Sequence, residues 1–139
     1  MLVSIVIPTY NEKNNVVLLL DALTVELASI DGQYEIIVVD DASPDNTATV
    51  VEQWIQQHPS TTLIRREGKR DLSSALAEGF DRACGEYLVA MDADLQHDPT
   101  ILLSMLSIAQ QDTLDLVIAT RYADGGNTAN WNIDRKSVV

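Results

Sequence analysis

The feature that most constrains this chain is a rhythm of short β-branched runs separated by helical periods. The runs are Val3–Ile7, Tyr34–Asp40, Thr61–Arg65, Glu86–Met91 and Leu116–Thr120. Each is apolar nearly throughout, as a strand covered on both faces must be. Between the first two, Val16, Leu20, Leu23, Leu27 and Ile30 recur at helical spacing, closed by Asp31-Gly32. Val51, Trp54 and Ile55 mark a second helix that stops at His58-Pro59. Leu72, Leu76, Phe80 and Ala83 mark a third, with Gly85 at the position of a left-handed cap. Asp98-Pro99 reads as an N-cap and first-turn proline, and Leu102, Met105, Leu106 and Ala109 as the buried stripe of a fourth. This order predicts an α/β fold, a mostly parallel sheet with helices on both faces and right-handed crossovers. Ligands of such sheets bind beyond the carboxyl ends of the strands, where the strand order reverses.

A chain of 139 residues fits a single domain, here spanning 1–139. Its lone cysteine, Cys84, cannot form an intrachain disulfide and reads as a core residue on the apolar side of its helix. The formal charge of −12 excludes electrostatic capture of nucleic acid, which needs a basic face. It suits a protein that collects a divalent cation and then a metal-masked diphosphate. No apolar run approaches the ~20 residues of a membrane span. The amino terminus lacks the basic and long apolar regions of a secretion signal. These readings predict a cytoplasmic protein, peripheral on the cytoplasmic face of a membrane if it works there. From Tyr122 to Val139 the rhythm stops, and the chain ends where another helix is starting, so more chain is expected to follow.

Three polar clusters fall where a parallel sheet presents residues to a ligand. They are Pro8-Thr9-Tyr10-Asn11-Glu12, Asp40-Asp41-Ala42-Ser43-Pro44-Asp45 and Asp92-Ala93-Asp94-Leu95-Gln96. Any one of them alone is adequately read as turn and cap chemistry, the reading adopted for Pro44, Asp45 and Asp98. Asp41, Asp92 and Asp94 are expected to converge on one rim, where their mutual repulsion calls for a hard divalent cation such as Mg²⁺ or Mn²⁺. Pro8-Thr9-Tyr10 occupies the place of a glycine-rich dinucleotide turn, and no phosphate loop or nucleophile elbow exists. Both histidines, His58 and His97, neighbour prolines at helix boundaries; His97 is placed where it could line the site, and the surface-turn reading is preferred for it.

The strings Val6-Ile7-Pro8-Thr9-Tyr10-Asn11-Glu12 and Val39-Asp40-Asp41-Ala42-Ser43-Pro44-Asp45-Asn46-Thr47 resemble family 2 glycosyltransferases of the Rossmann-like GT-A fold. Met91-Asp92-Ala93-Asp94-Leu95-Gln96-His97 resembles that family's metal-binding Asp-X-Asp (DXD) element. Thr120-Arg121-Tyr122, Gly125-Gly126, Trp131 and Arg135-Lys136 narrow the likeness to dolichyl- or polyprenyl-phosphate mannose synthases. The resemblance implies that Pro8, Tyr10, Glu12, Val39 and Asp41 hold the base and ribose of a nucleotide sugar, GDP-mannose before a UDP-sugar. It implies that Asp92, Ala93, Asp94 and Gln96 surround the cation and diphosphate, with Asp92, Asp94 and Gln96 as metal ligands. Arg121 and Arg135 would contact phosphate groups, as a planar, permanently charged fork can. Catalysis would rest on Asp92, Asp94 and Arg121. The transfer would be a single in-line displacement with inversion, onto a polyprenyl phosphate at a membrane surface. Such an acceptor is already anionic, so it needs little help from a general base.

Asp71-Leu72-Ser73-Ser74-Ala75 stands where relatives usually carry a glycine first. Family catalytic domains also run past residue 139, so the chain reads as a donor-binding part, with residues 1–120 as its nucleotide-sugar core. Two rival readings remain: a nucleotide-sugar-binding module without transfer, and a receiver-like domain. The second fits poorly, since the acidic pair follows the second strand and no lysine follows the fifth. Association with a second copy is compatible with the sequence, although no residue points to it.

Overall fold

The computed structural model describes residues 2–30, 33–68, 70–111 and 114–120. Its elements are β1 (Leu2–Thr9), α1 (Val16–Leu27), β2 (Gln33–Asp40), α2 (Thr47–Ile55), β3 (Thr61–Arg65), α3 (Leu72–Arg82), β4 (Tyr87–Ala90), a 3-10 turn (Pro99–Ile101) and α4 (Leu102–Gln111). The chain forms two compact units, Met1–Leu103 and Ser104–Val139. The first holds the sheet, ordered β3-β2-β1-β4 with every pairing parallel. The second holds most of α4 and residues 114–120.

Strand order dictates where the helices lie. The steps β1 to β2 and β2 to β3 run one way, and the step from β3 to β4 returns across the sheet. Right-handed crossovers therefore put α1 and α2 on one face and α3 on the other. Side-chain alternation agrees. Val6, Ile37, Val39, Ile64 and Ala75 form one buried cluster, packed by Leu76, Phe80 and Ala83. Ile5, Ile7, Ile36 and Val38 point the other way and are equally buried, as are Val16, Leu19, Leu20, Leu23 and Leu27 of α1. Each large aliphatic side chain so buried contributes roughly 1.5–3 kcal/mol before entropy is counted.

At the amino-terminal edge of the sheet a polar clamp ties the connection between α3 and β4 to β1 and β2. Ser4 Oγ donates to Glu35 Oε1 at 2.5 Å, and the backbone N–H groups of Cys84 and Gly85 donate to Glu35 Oε1 at 2.6 Å and Ser4 Oγ at 2.8 Å. Gly85 is thus not the left-handed cap expected from its position. Helix α3 ends instead on an extended Ala83 (φ −69°, ψ 139°). Glycine is needed at 85 because a Cβ there would stand 2.5 Å from Ser4 Oγ and 2.7 Å from Ser4 N. Cys84, one residue beyond this end, is exposed rather than core.

Two other expectations are corrected. Helix α1 ends at Leu27, with Ser29 Oγ donating to the Glu26 carbonyl oxygen at 2.7 Å in the turn that follows; Asp31-Gly32 lies outside the described residues. Leu116–Thr120 is not a strand. A β-branched run becomes one only by pairing with a neighbour. No described strand pairs with it, and Leu116 and Ile118 are each 73% exposed.

Gly79 tests the close approach of α3 to β1. Alanine would ordinarily favour a helix by ~1 kcal/mol. Here its Cβ would stand 2.3 Å from Val6 Cγ1, beneath a fully buried strand. Overpacking of this kind costs about 1–3 kcal/mol, so Gly79→Ala is expected to lower the urea midpoint despite its helix propensity.

Candidate active site

The parallel register delivers the carboxyl ends of all four strands to one edge. The reversal of strand order falls at β1, between β2 and β4. The loop after β1 is laced to the loop after β2 by side-chain oxygens. Thr9 Oγ1 donates to Asp40 Oδ1 at 3.0 Å, Asn11 N to Ser43 Oγ at 3.0 Å, Glu12 N to Thr47 Oγ1 at 3.0 Å and Lys13 N to Asp45 Oδ2 at 3.2 Å. Asn11, Ala42 and Asn46 take left-handed backbone conformations (φ 57°, 58° and 69°). For alanine that geometry costs about 1–2 kcal/mol and persists only where its surroundings enforce it.

Asp40 is consumed by this lacing. Its carboxylate accepts from Thr9 Oγ1, Ser43 N and Ser43 Oγ, so the turn reading describes it fully. Asp45 behaves as expected of a cap, accepting from the Thr47 N–H and hydroxyl at the start of α2. Slight desolvation pushes its carboxyl up. Hydrogen bonds from the Thr47 hydroxyl and from nearby backbone N–H groups outweigh this and hold it below the ordinary 3.8. Asp98 caps the 3-10 turn in the same way, and the N–H and hydroxyl of Thr100 keep its carboxyl low.

Asp41, nearly buried, has both oxygens engaged. Arg66 Nη1 donates to Oδ1 at 2.9 Å and the Asp71 N–H to Oδ2 at 2.8 Å. Arg66 also donates to the Asp71 carbonyl oxygen and to Ser74 Oγ, and pairs with Glu78 at 3.2 Å. Asp41 therefore meets a protein cation. β1 stands between β2 and β4, and with strands ~4.8 Å apart Asp41 starts roughly 10 Å from the end of β4. Among the described residues no group of three or more His, Cys, Asp or Glu side chains is arranged to hold an ion. The expectation that carboxylates from separate strands gather round one cation is corrected accordingly.

Beyond β4 the chain folds back on itself. Met91 N continues the ladder, donating to the Val6 carbonyl oxygen at 3.1 Å, and Ala93 is buried. Leu95 turns the backbone through φ 62°, and Gln96 N donates to Asp94 Oδ1 at 3.0 Å. Asp92 N donates to His97 Nδ1 at 3.1 Å, while the Asp92 side chain stays half exposed. The atoms with which Asp92, Asp94 and Gln96 can ligate a cation are oxygens, the type Mg²⁺ or Mn²⁺ prefers. Two carboxylates suit an ion whose remaining positions are filled by substrate phosphate and water.

The structure brings Pro8, Tyr10, Glu12 and Asp41 to the same edge as the residues 92–96. Val39 differs, since its side chain is completely buried in the α3-facing cluster and only its main chain is left to offer a nucleotide. Tyr10 is 37% exposed and carries the Arg70 guanidinium 4.0 Å above its ring centre. Glu12 Oε2 accepts from Asn15 Nδ2 at 3.0 Å. Arg121 and Arg135, with Tyr122, Gly125, Gly126, Trp131 and Lys136, lie outside the described residues. Sequence reasoning missed Arg66 and Arg70. Arg66 was findable, because it directly follows β3 at the same edge that drew notice to Asp41. A cavity of about 250 Å³ lies beside β2 and β3, lined by Ser43, Asn46, Thr49 and Arg66 among others. It contains none of the expected site residues, and the strand ends at the reversal remain the better candidate on chemical grounds.

The sequence matches the model of glycosyl transferase family 2 over residues 4–137. The chain belongs to this family. It is 39% identical to the dolichol-phosphate mannosyltransferase of Pyrococcus furiosus over 99% of its own length and 38% of that protein. It is 37% identical to the undecaprenyl-phosphate mannosyltransferase of Micrococcus luteus over 99% of its length and 56% of that protein. Among solved structures it resembles a mannosyltransferase from Pyrobaculum calidifontis in complex with GDP-Man and Mn²⁺. The TM-score is 0.68 at 32% identity, covering 77% of this chain and 32% of the other. The fold is that of the GT-A transferases, and the chain spans between about two fifths and just over half of the length of the Pyrococcus and Micrococcus proteins.

Removing Arg66 would leave Asp41 charged, nearly buried and without its cationic partner, a change that costs about 3–5 kcal/mol. Arg66→Met is therefore expected to lower chemical stability by that much in equilibrium unfolding. A carboxyl whose folded value lies below 3.8 contributes fully above that pH and loses its contribution as the pH falls through the folded value. The stability gap between the wild-type chain and Asp45→Ala is thus expected to be full at neutral pH and to narrow as the pH falls below 3.8.

Proposed function

We propose that this chain is the nucleotide-sugar-binding part of an inverting, metal-dependent glycosyltransferase. It would pass a sugar, mannose in first preference, from a nucleotide diphosphate to a dolichyl or other polyprenyl phosphate. The observation that carries this reading is the placement of Asp92 and Asp94 just past β4, beside the end of β1 at the strand-order reversal, in a family 2 chain. The names of the Pyrococcus and Micrococcus relatives, a dolichol-phosphate and an undecaprenyl-phosphate mannosyltransferase, and the GDP-Man and Mn²⁺ of the Pyrobaculum structure support the choice of donor and acceptor.

In this reading Asp92, Asp94 and Gln96 hold Mg²⁺ or Mn²⁺. When bound, the cation would offset the charge that builds on the departing diphosphate. Pro8, Tyr10, Glu12, Asp41 and the main chain of Val39 take the base and ribose. The half-open Tyr10 ring offers a stacking surface, and Asp41, fixed by Arg66, keeps free lone pairs for a donor N–H or O–H. Arg121 and Arg135 contact phosphate groups. The acceptor phosphate is anionic at neutral pH, so orientation for in-line attack, with inversion, replaces a general base. No described helix is long and apolar enough to cross a membrane. A polyprenyl phosphate acceptor would bring the protein to the membrane surface from the cytoplasmic side.

A second reading, nucleotide-sugar binding without transfer, rests on the 38% to 56% of the relatives' length that the chain spans. Calorimetry with GDP-mannose, UDP-glucose and UDP-N-acetylglucosamine in Mn²⁺ is expected to show binding, strongest for GDP-mannose. Chelator or Asp94→Ala should abolish it. Undiminished binding in chelator would remove the metal-dependent reading, and transfer to a polyprenyl phosphate by this chain alone would remove the binding-only one.

A further inference from the structure

The backbone N–H of Asp92 is the first donor past β4 to leave the ladder, since Met91 N still bonds to the Val6 carbonyl oxygen. A donor stranded at the end of a strand needs a partner. It finds one five residues later, in His97 Nδ1 at 3.1 Å. The left-handed Leu95 makes this return possible by reversing the chain between the two residues. Because Nδ1 accepts, the neutral ring carries its proton on Nε2. That nitrogen stands 3.6 Å from Asp92 Oδ2, too long for a hydrogen bond but oriented toward the carboxylate. A single imidazole therefore faces both ends of Asp92, its main-chain nitrogen and its side-chain oxygen. The opposite side of the turn is pinned by Gln96 N on Asp94 Oδ1.

We propose that His97 is a positioning residue that fixes Asp92 so that its carboxylate and that of Asp94 are presented together to the cation. The inference rests on the reading of Asp92 and Asp94 as cation-binding residues. It gives His97 a role in the site that its surface-turn position does not suggest. Groups that orient a ligating carboxylate typically change metal affinity by about 10–100-fold when removed. The useful atom is Nδ1, and this separates the role from general turn stability. Asparagine at 97 can place its Oδ1 near that position and accept from Asp92 N. Glutamine places its polar end nearer the position of Nε2 and leaves the N–H unserved.

The test follows the Mn²⁺ concentration that gives half-maximal GDP binding by the full chain and by H97A, H97N and H97Q. The metal-free thermal midpoint of each is measured alongside. H97A and H97Q are expected to need about 10-fold more Mn²⁺, and H97N no more than about 3-fold, with midpoints close to wild type. An unchanged Mn²⁺ requirement in H97A, or an H97N as impaired as H97A, overturns the role of His97 alone. A wild-type chain that binds GDP without regard to Mn²⁺, or not at all, overturns the underlying reading together with it.

Discussion

Strand β1 is held in parallel register on both sides, by β2 over its whole length and by β4 from Val3 to Val6. This double pairing forces the chain to travel outward to β3 and then back across the sheet. Two close approaches follow. Helix α3 must cross so near β1 that residue 79 has no room for a Cβ against Val6. The connection into β4 must pass so near Ser4 that residue 85 has none either. Both glycines answer to the crossing rather than to local turn geometry. The same crossing opens the reversal at which the ends of β1 and β4 lie side by side.

Elements set by local periodicity were legible in the sequence. β3 runs from Thr61 to Arg65 as its residues suggest, and the buried faces of α1 and α4 follow their apolar spacing. Features that depend on a distant partner were not. Leu116–Thr120 has strand composition but pairs with no strand among the described residues, and Cys84 falls outside the helix whose apolar face it was expected to join. The site divides along the same line. The strand-end positions of Asp41, Asp92 and Asp94 follow from topology alone. Only packing reveals that Arg66, 25 residues from Asp41, claims one of its oxygens.

Asp71 shows how a position at which the sequence resemblance leads one to expect glycine is used by another residue. A glycine there would suggest a left-handed or sterically crowded position, yet Asp71 is extended (φ −160°) and accessible to any residue. Its carboxylate caps α3 by accepting from Ser74 N at 2.8 Å, a bond glycine lacks. Side-chain caps of this kind are worth about 0.5–2 kcal/mol. Its N–H meanwhile serves Asp41, which any non-proline residue could do. Aspartate at 71 thus caps α3 with its side chain while its main chain supports Asp41.

Charge explains why these two aspartate environments must differ. In a chain of net charge −12, a rim with four uncompensated aspartates would repel an anionic diphosphate. Asp40 is dissipated into turn hydrogen bonds, and Asp41 is matched by Arg66. In the turn after β4, by contrast, Asp92 stays half open and Asp94 spends one oxygen on the Gln96 N–H. A divalent cation bound there would reverse the local sign from negative toward positive. Asp41, neutralised within the protein, would leave the neighbouring end of β1 suited to a polar but uncharged base and ribose. Asp41, matched by Arg66, and the half-open Asp92 thus give one edge of the sheet two chemically distinct halves.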